Sequence, residues 1–287
     1  MTGSDRLPIR RTAKLFIGGE FPRSESGRTY EVMSYDGRPL AFAAQASRKD
    51  LRDAVKAARG AQSGWAARTA FNRGQVLYRV AELMEGRRVQ FEAELADAGA
   101  ADPARGVGAA IDRWVWYAGW ADKIAQVCGG SNPVAGPYFN FTVPEPTGVV
   151  GIVAPREQAL LGLVSRLGPA IVSDNTAVVI ASERSPLPAV SLAEVLATSD
   201  VPGGVVNILT GITAELTPWL AGHMDVNAVD VTGVPDGQIA EAEELAAENV
   251  KRVVRAPAVD PFAPEAQSPY EVTALTEFKT VWHPVGA

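Results

Sequence analysis

PTGVVGIVAPREQALLG, Pro146 to Gly162, decides how this chain is read. Residues 147–154 are a short run of small and β-branched apolar residues without charge, the composition of a strand covered on both faces. Pro155 stops that run, and Leu160, Leu161, Val164 and Leu167 then recur at helical spacing. The stretch is therefore a buried strand, a tight turn and the start of a helix. In open α/β sheets, a turn of this kind at the carboxyl end of a parallel strand is where ligands sit. Here the turn residues are Arg156, Glu157 and Gln158.

The same alternation continues downstream. Strands are predicted at 147–154, 176–181, 205–209, 226–231 and 251–255, and helices at 158–172, 187–199, 213–222 and 236–248. Strands alternating with helices of this length imply an α/β fold with a Rossmann-like, doubly wound parallel sheet and right-handed crossovers. Upstream, LFIGGEF (15–21) reads as a hairpin around Gly18 and Gly19, and a short strand follows near Tyr30 to Met33. Ser47 reads as an N-cap with Asp50 at the third helical position, and Leu51, Val55 and Ala58 form the apolar face of that helix. Longer helices are expected at 71–96 and 107–127; the aromatics Trp114, Trp116, Tyr117 and Trp120 read as packing. Residues 128–137 read as a loop, and YFNFTV, Tyr138 to Val143, alternates as an antiparallel strand does. After Arg255 the pattern breaks into a Pro- and Ala-rich linker, 256–269. The last segment, Thr276 to His283, alternates as one more strand. Residues 1–13 read as a flexible tail.

Composition narrows the function class. Of 287 residues, 47% are hydrophobic and 21% charged, as in soluble globular proteins. The net charge of −6 lacks the basic footprint of a nucleic-acid binder. Apolar runs fall well short of the roughly 20 residues of a membrane span, and the N-terminus lacks the apolar core of a secretory signal. A single cysteine, Cys128, excludes an internal disulfide and fits a reducing, cytoplasmic compartment. His223 and His283 lie far apart, and no Cys/His cluster has metal-site spacing. The G-x-G-x-x-G fingerprint, the Walker lysine motif and the G-x-S-x-G elbow are all absent. Gly106-Val-Gly108 follows no strand, and Ser165 has no histidine placed near it. Residue types alone give a nucleotide-sized α/β fold without recognisable catalytic machinery.

Five segments, in order and spacing, sharpen this: PTGVVGIVAP, NTAVVIASERSPL (175–187), VPGGVVNILTG (201–211), HMDVNAVDVTG (223–233) and ENVKRVV (248–254). Together they resemble the cofactor-binding half of the aldehyde dehydrogenase superfamily. LFIGGEF and YAGWADK (117–123) resemble its N-terminal signatures, and TEFKTVW (276–282) its C-terminal oligomerisation strand. The resemblance implies a cofactor-binding domain over 14–255, with an oligomerisation hairpin at 138–146. It further implies a linker at 256–269 in place of the catalytic domain, and an oligomerisation strand at 270–287. SERSPLPAV, TSDVPGGVVNILTG and FKTVWHPVG resemble most the degenerate C-terminal half of the two-part (sixteenth) family.

Residue by residue, the resemblance also marks departures. The oxyanion-stabilising asparagine falls on Glu157, a carboxylate that cannot donate a hydrogen bond and would repel an oxyanion. Of the lysine and glutamate that hold the adenosine ribose, the positions here are Ile180 and Glu183. The pyrophosphate-facing turn reads Val231-Thr232-Gly233-Val234 with Gly237 one residue early, so its serine is lost. The general base falls on Ala256, and no cysteine follows Cys128 to act as nucleophile. The implied cofactor is NAD or NADP, held if at all by a vestigial set of Glu183, Thr232, Gly233 and Gly237. No catalytic residue is assigned.

The leading expectation is a non-catalytic, aldehyde-dehydrogenase-like subunit. It would pair with a catalytic dehydrogenase or with itself through Tyr138 to Val143 and Thr276 to His283. A simpler reading has the last strand cover the chain's own sheet edge. Two alternatives remain: an NAD(P)-binding or sensing protein, and a cryptic oxidoreductase using Arg156, Glu157 or Cys128 in a remodelled cleft.

Overall fold

A computed structural model describes residues 9–286. The first elements are β1 (Thr12–Ala13), β2 (Thr29–Met33) and β3 (Pro39–Ala44), followed by α1 (Arg48–Ala66), α2 (Ala70–Gly86), α3 (Arg88–Asp97), α4 (Pro103–Trp120) and α5 (Ile124–Cys128). Strands β4 (Gly130–Asn132) and β5 (Tyr138–Pro146) lead into the alternating part. This comprises β6 (Val149–Val153), α6 (Leu161–Val172), β7 (Thr176–Ile180), α7 (Leu187–Leu196), β8 (Val206–Leu209), α8 (Thr213–Ala221), β9 (Ala228–Asp230), α9 (Asp236–Ala247) and β10 (Arg252–Val254). A short helix, α10 (Pro269–Thr273), and β11 (Thr276–Pro284) close the chain.

The charge-free run after Thr147 forms β6, the middle strand of a five-stranded sheet of order β10-β9-β6-β7-β8, parallel throughout. Strand alternation sends its side chains to two apolar layers. Val150 and Ile152 join the layer built with α2, α4, α6 and α7; Val149 and Val153 join that of α1, α8 and α9. Both layers are closely fitted. A Cβ on Gly168 of α6 would lie 2.4 Å from the Tyr117 ring of α4, so only glycine lets those helices approach. The strand order reverses at β6, so the crevice of this doubly wound sheet opens above the carboxyl ends of β6 and β9.

All five sheet strands and the four helices between them lie where the alternation put them, each trimmed by a few residues at its ends. The capping box at Ser47 and Asp50 also forms: Ser47 Oγ accepts from Asp50 N–H, and Asp50 Oδ2 accepts from Ser47 N–H at 2.8 Å. Elsewhere the structure corrects the sequence reading. The expected tail lies partly outside the described residues, but Thr12 and Ala13 pair with Phe42 and Ala43, so the ordered chain begins before residue 14. The LFIGGEF hairpin is only a bridged turn between Ile17 and Glu20, because Phe16 instead pairs with Ile208 of the main sheet. The helix expected over 71–96 breaks at Arg87 into α2 and α3. The one expected over 107–127 begins at Pro103 and ends at Trp120.

The loop reading of 128–137 misses β4, whose Gly-Ser-Asn composition becomes strand by pairing with β5. β5 also pairs antiparallel with β11 along all nine residues, so the two segments expected to meet a partner meet each other within the chain. The 256–269 segment carries a 3₁₀ turn, Pro264–Ala266, and ends in α10, so the terminal unit is a helix and a strand.

Asp174 ends α6 in the left-handed region (φ 69°), with its carboxylate 2.5 Å from Arg73 Nε. Burial lifts this carboxyl to about 6, against the pull of Arg73. A carboxyl raised above its unfolded value of about 3.9 costs stability above the folded pKa, and that cost disappears as pH falls through it. Asp174→Asn tolerates the left-handed backbone and removes the titration. Between pH 7 and pH 4, the parent should gain about 2 kcal/mol on this variant in urea denaturation. Parallel pH profiles would contradict the assignment.

Candidate functional site

The crevice at the switch point is bounded by the turn after β6 and the turn after β9. Gly233 brings the two together: its N–H donates to Val153 O at 3.0 Å, and a Cβ there would lie 2.0 Å from Ala154 O. Between them, buried at the end of β9, lies Asp230. Its carboxylate accepts from Thr232 N–H at 3.0 Å, from the Thr232 hydroxyl at 2.5 Å and from Arg166 Nε at 2.5 Å. Arg166, on α6 and 3% exposed, also pairs with Glu271 of α10. Burial alone would push this guanidinium's pKa down, but the facing carboxylates of Asp230 and Glu271 hold it above its ordinary value.

A second buried arginine faces the same segment. Arg113 of α4 donates to Ser165 Oγ at 2.6 Å, to Ala266 O at 3.0 Å and to Pro261 O at 2.9 Å. Burial lowers its pKa, opposed by Tyr117 and Glu271. Thr232 Oγ1 accepts from Ala256 N–H at 2.8 Å. Residues 256–271 are therefore a strap drawn over the carboxyl end of the sheet and held by Arg113, Arg166 and Thr232. Beneath it lies a cavity of about 230 Å³, lined by Glu157, Gln158, Ser165 and Arg166 among others. Gln158 sits in the left-handed region at φ 55°.

Each residue of the expected cofactor set has a place. Glu183 Oε2 accepts from the N–H of Thr213, the first residue of α8, at 3.0 Å, where a carboxylate also complements the helix dipole. Thr232 is tied to Asp230 and Ala256, and Gly233 serves the close approach of two turns. Gly237 lies in the first turn of α9, with open space where a Cβ would be. Ile180 and Val234, at the positions of a polar ribose contact and the lost serine, are buried in one apolar layer with Leu216 and Val231. These residues fit a dinucleotide poorly: Thr232 is bonded within the chain, Ile180 and Val234 offer hydrocarbon where a donor is needed, and the exposed Glu183 spends one carboxylate oxygen on Thr213 N–H. Arg156, Glu157 and Gln158 are exposed, and Glu157 lines cavities on both sides of its turn. Cys128 ends α5, its thiol pushed up by burial, away from the reactive thiolate.

The sequence reading missed the buried set Arg113, Arg166, Asp230 and Glu271. The available signal was a lone charge inside an apolar run: Arg166 in LLGLVSRLGPAIV, and Asp230 in VNAVDVTG. Removing one partner of a buried pair strands the other charge. Asp230→Ala should therefore cost about 3–5 kcal/mol in chemical denaturation. A loss under about 1 kcal/mol would mean that the network holds nothing together.

Comparisons with known proteins agree with the architecture. A family profile described as the aldehyde dehydrogenase family matches residues 21–256. Cytosolic aldehyde dehydrogenase 1 of Elephantulus edwardii is 35% identical over 255 residues, covering 86% of this chain and 50% of that protein. The cytosolic 10-formyltetrahydrofolate dehydrogenase of Pongo abelii is 35% identical, over 87% of this chain and 28% of its own length. Among solved structures, HpcC from Thermus thermophilus superposes with a TM-score of 0.80 at 30% identity, over 86% of this chain and 48% of that one. An NAD+ complex of an aldehyde dehydrogenase from Bacillus cereus gives 0.77 at 29%, over 85% and 50%. The chain spans about half the length of the aldehyde dehydrogenases it matches. It belongs to the aldehyde dehydrogenase family.

Proposed function

We propose that this chain is a non-catalytic member of its family, akin to the degenerate half of the two-part class, and that it works by assembly. The observation that carries the reading is the strap. At Ala256, where the resemblance expects a general base, the backbone turns into a segment latched across the crevice by Arg113 and Arg166. Glu157 stands where an oxyanion donor is expected, and the one cysteine lies upstream at Cys128. Acyl transfer through a thioester needs nucleophile, oxyanion donor and base together, so the loss of all three removes the chemistry rather than slowing it.

What the chain keeps is the sheet of β4, β5 and β11, with Tyr138, Phe139, Phe278 and Trp282 about half exposed. Apolar strands in this state are an aggregation hazard unless something pairs with them. The reading assigns that sheet to a catalytic NAD(P)-dependent aldehyde dehydrogenase or to a second copy of the chain. No described helix is long and apolar enough to cross a membrane. Relatives named as cytosolic, with the single cysteine, support a cytoplasmic site of action.

Two measurements test the proposal. The purified chain, given a panel of aldehydes with NAD+ or NADP+, should produce no reduced nicotinamide above the protein-free control; sustained turnover would contradict it. Affinity capture from the chain's own cells should return an aldehyde dehydrogenase, or a second copy, in fixed stoichiometry. Deletion of residues 276–287 should abolish that capture. A monomer that captures nothing would overturn the assembly role.

A further inference from the structure

Glu157 lines a second cavity, on the other side of its turn from the one beneath the strap. This recess of about 260 Å³ collects three arginines from three separate elements. Arg105 is the third residue of α4, Arg156 follows β6 and Arg184 follows β7. Most arginines of the chain pair with a carboxylate, as Arg88 does with Glu85 and Arg255 with Glu243. Among the described residues, Arg105, Arg156 and Arg184 form no ion pair, although all three side chains are exposed at the mouth of one recess.

The recess has a firm frame. Gly99, in the left-handed region at φ 87°, turns residues 98–101 along one wall, and Ala100 N–H donates to Leu95 O at 3.0 Å. Leu160 and Leu161 supply buried apolar lining. Phe262 of the strap lines the recess too, and the guanidinium carbon of Arg105 lies 4.2 Å from its ring centre. That stack orders one arginine before any ligand arrives, so less freedom is lost on binding.

Two carboxylates line the same recess. Asp102 is engaged as the N-cap of α4, where its Oδ1 accepts from Arg105 N–H at 2.9 Å. Glu157 makes no ion pair among the described residues. Three guanidiniums against these two carboxylates leave positive charge in excess. Like charges gathered in a recess repel, because less water screens them than on an open face. An anion relieves that repulsion, and the planar forks of arginine match the oxygens of a phosphate.

We propose that this recess binds a small phosphate-bearing ligand, with the dianionic head group held by Arg105, Arg156 and Arg184. A volume of about 260 Å³ suits a ligand at the small end of the usual range and excludes a dinucleotide. The head group can belong to free phosphate or to a monoester, whose carbon part would lie against Leu160 and Leu161. The recess is remote in sequence from the terminal sheet, and neither this proposal nor the assembly reading depends on the other.

The test is calorimetric titration of the full chain at about pH 8, where a phosphate monoester carries close to two charges, with ionic strength held constant. Inorganic phosphate should bind saturably, near one per chain, with acetate at least about tenfold weaker. Arg105→Gln, Arg156→Gln and Arg184→Gln should each weaken phosphate about tenfold. Arg79→Gln, on α2 and outside the recess, should leave it unchanged. Glu157→Gln should act in the opposite sense and tighten phosphate, since it removes a carboxylate that repels the anion. Glycerol phosphate tighter than inorganic phosphate assigns the site to a monoester; the reverse assigns it to free phosphate. The proposal is overturned if phosphate does not saturate, if acetate binds as tightly, or if the three arginine variants bind as the parent does. It is equally overturned if Arg79→Gln loses as much as they do, or if NAD+ displaces the bound phosphate, which would return the arginines to a dinucleotide.

Discussion

Arg166, buried between the carboxylates of Asp230 and Glu271, is the interaction on which the upper half of this structure depends. A charge with 3% exposure is tolerated only where opposite charge and hydrogen bonds replace water. The two carboxylates come from different places, the end of β9 and helix α10, and the guanidinium comes from α6. The triad can form only when the central sheet, its packed helix and the strap are all in register, so it specifies a single closure of the crevice. Arg113 reinforces it by binding the carbonyls of Pro261 and Ala266, groups that would otherwise be left without donors under the strap.

In a doubly wound sheet, the carboxyl ends of the strands at the switch point are where ligands sit, because loops can reach in there without disturbing the core. Here the loops reach in and bind one another. Thr232 bridges Asp230 and Ala256, Gly233 presses on Ala154, and Glu183 caps α8. Thr232 and Glu183, which the family resemblance assigns to a cofactor, make hydrogen bonds within the chain, and the apolar side chains of Ile180 and Val234 are buried in the adjoining layer. Elsewhere, β5 and β11 stand with aromatic side chains about half in solvent.

Much of this was legible in the sequence because of how buried parallel strands are made. A strand covered on both faces is predominantly apolar, and the runs that became β6, β7 and β8 stand out against their polar neighbours. The Gly-Ser-Asn of β4 carries no such signature; it is a strand because β5 lies beside it, and pairing of that kind is tertiary information. The break at Arg87 follows Gly86, but a lone glycine inside a helical pattern is tolerated and so marks no boundary by itself. The buried ion network was hidden for a similar reason: Arg166 meets Asp230 across 64 residues and Glu271 across 105, and nothing local to any of the three marks the others. Glu183 shows the limit from the other side, since its identity cannot say whether the carboxylate faces a ribose or the N-terminus of α8.

The central claim is that a dinucleotide fold has given its crevice over to its own chain. Calorimetric titration of the intact protein with NAD+, and separately with NADP+, tests this most directly. The account predicts no saturable binding of either up to millimolar concentration. Saturable binding near one dinucleotide per chain, lost when Glu183 is replaced by Ala, would contradict it and return the crevice to its ligand.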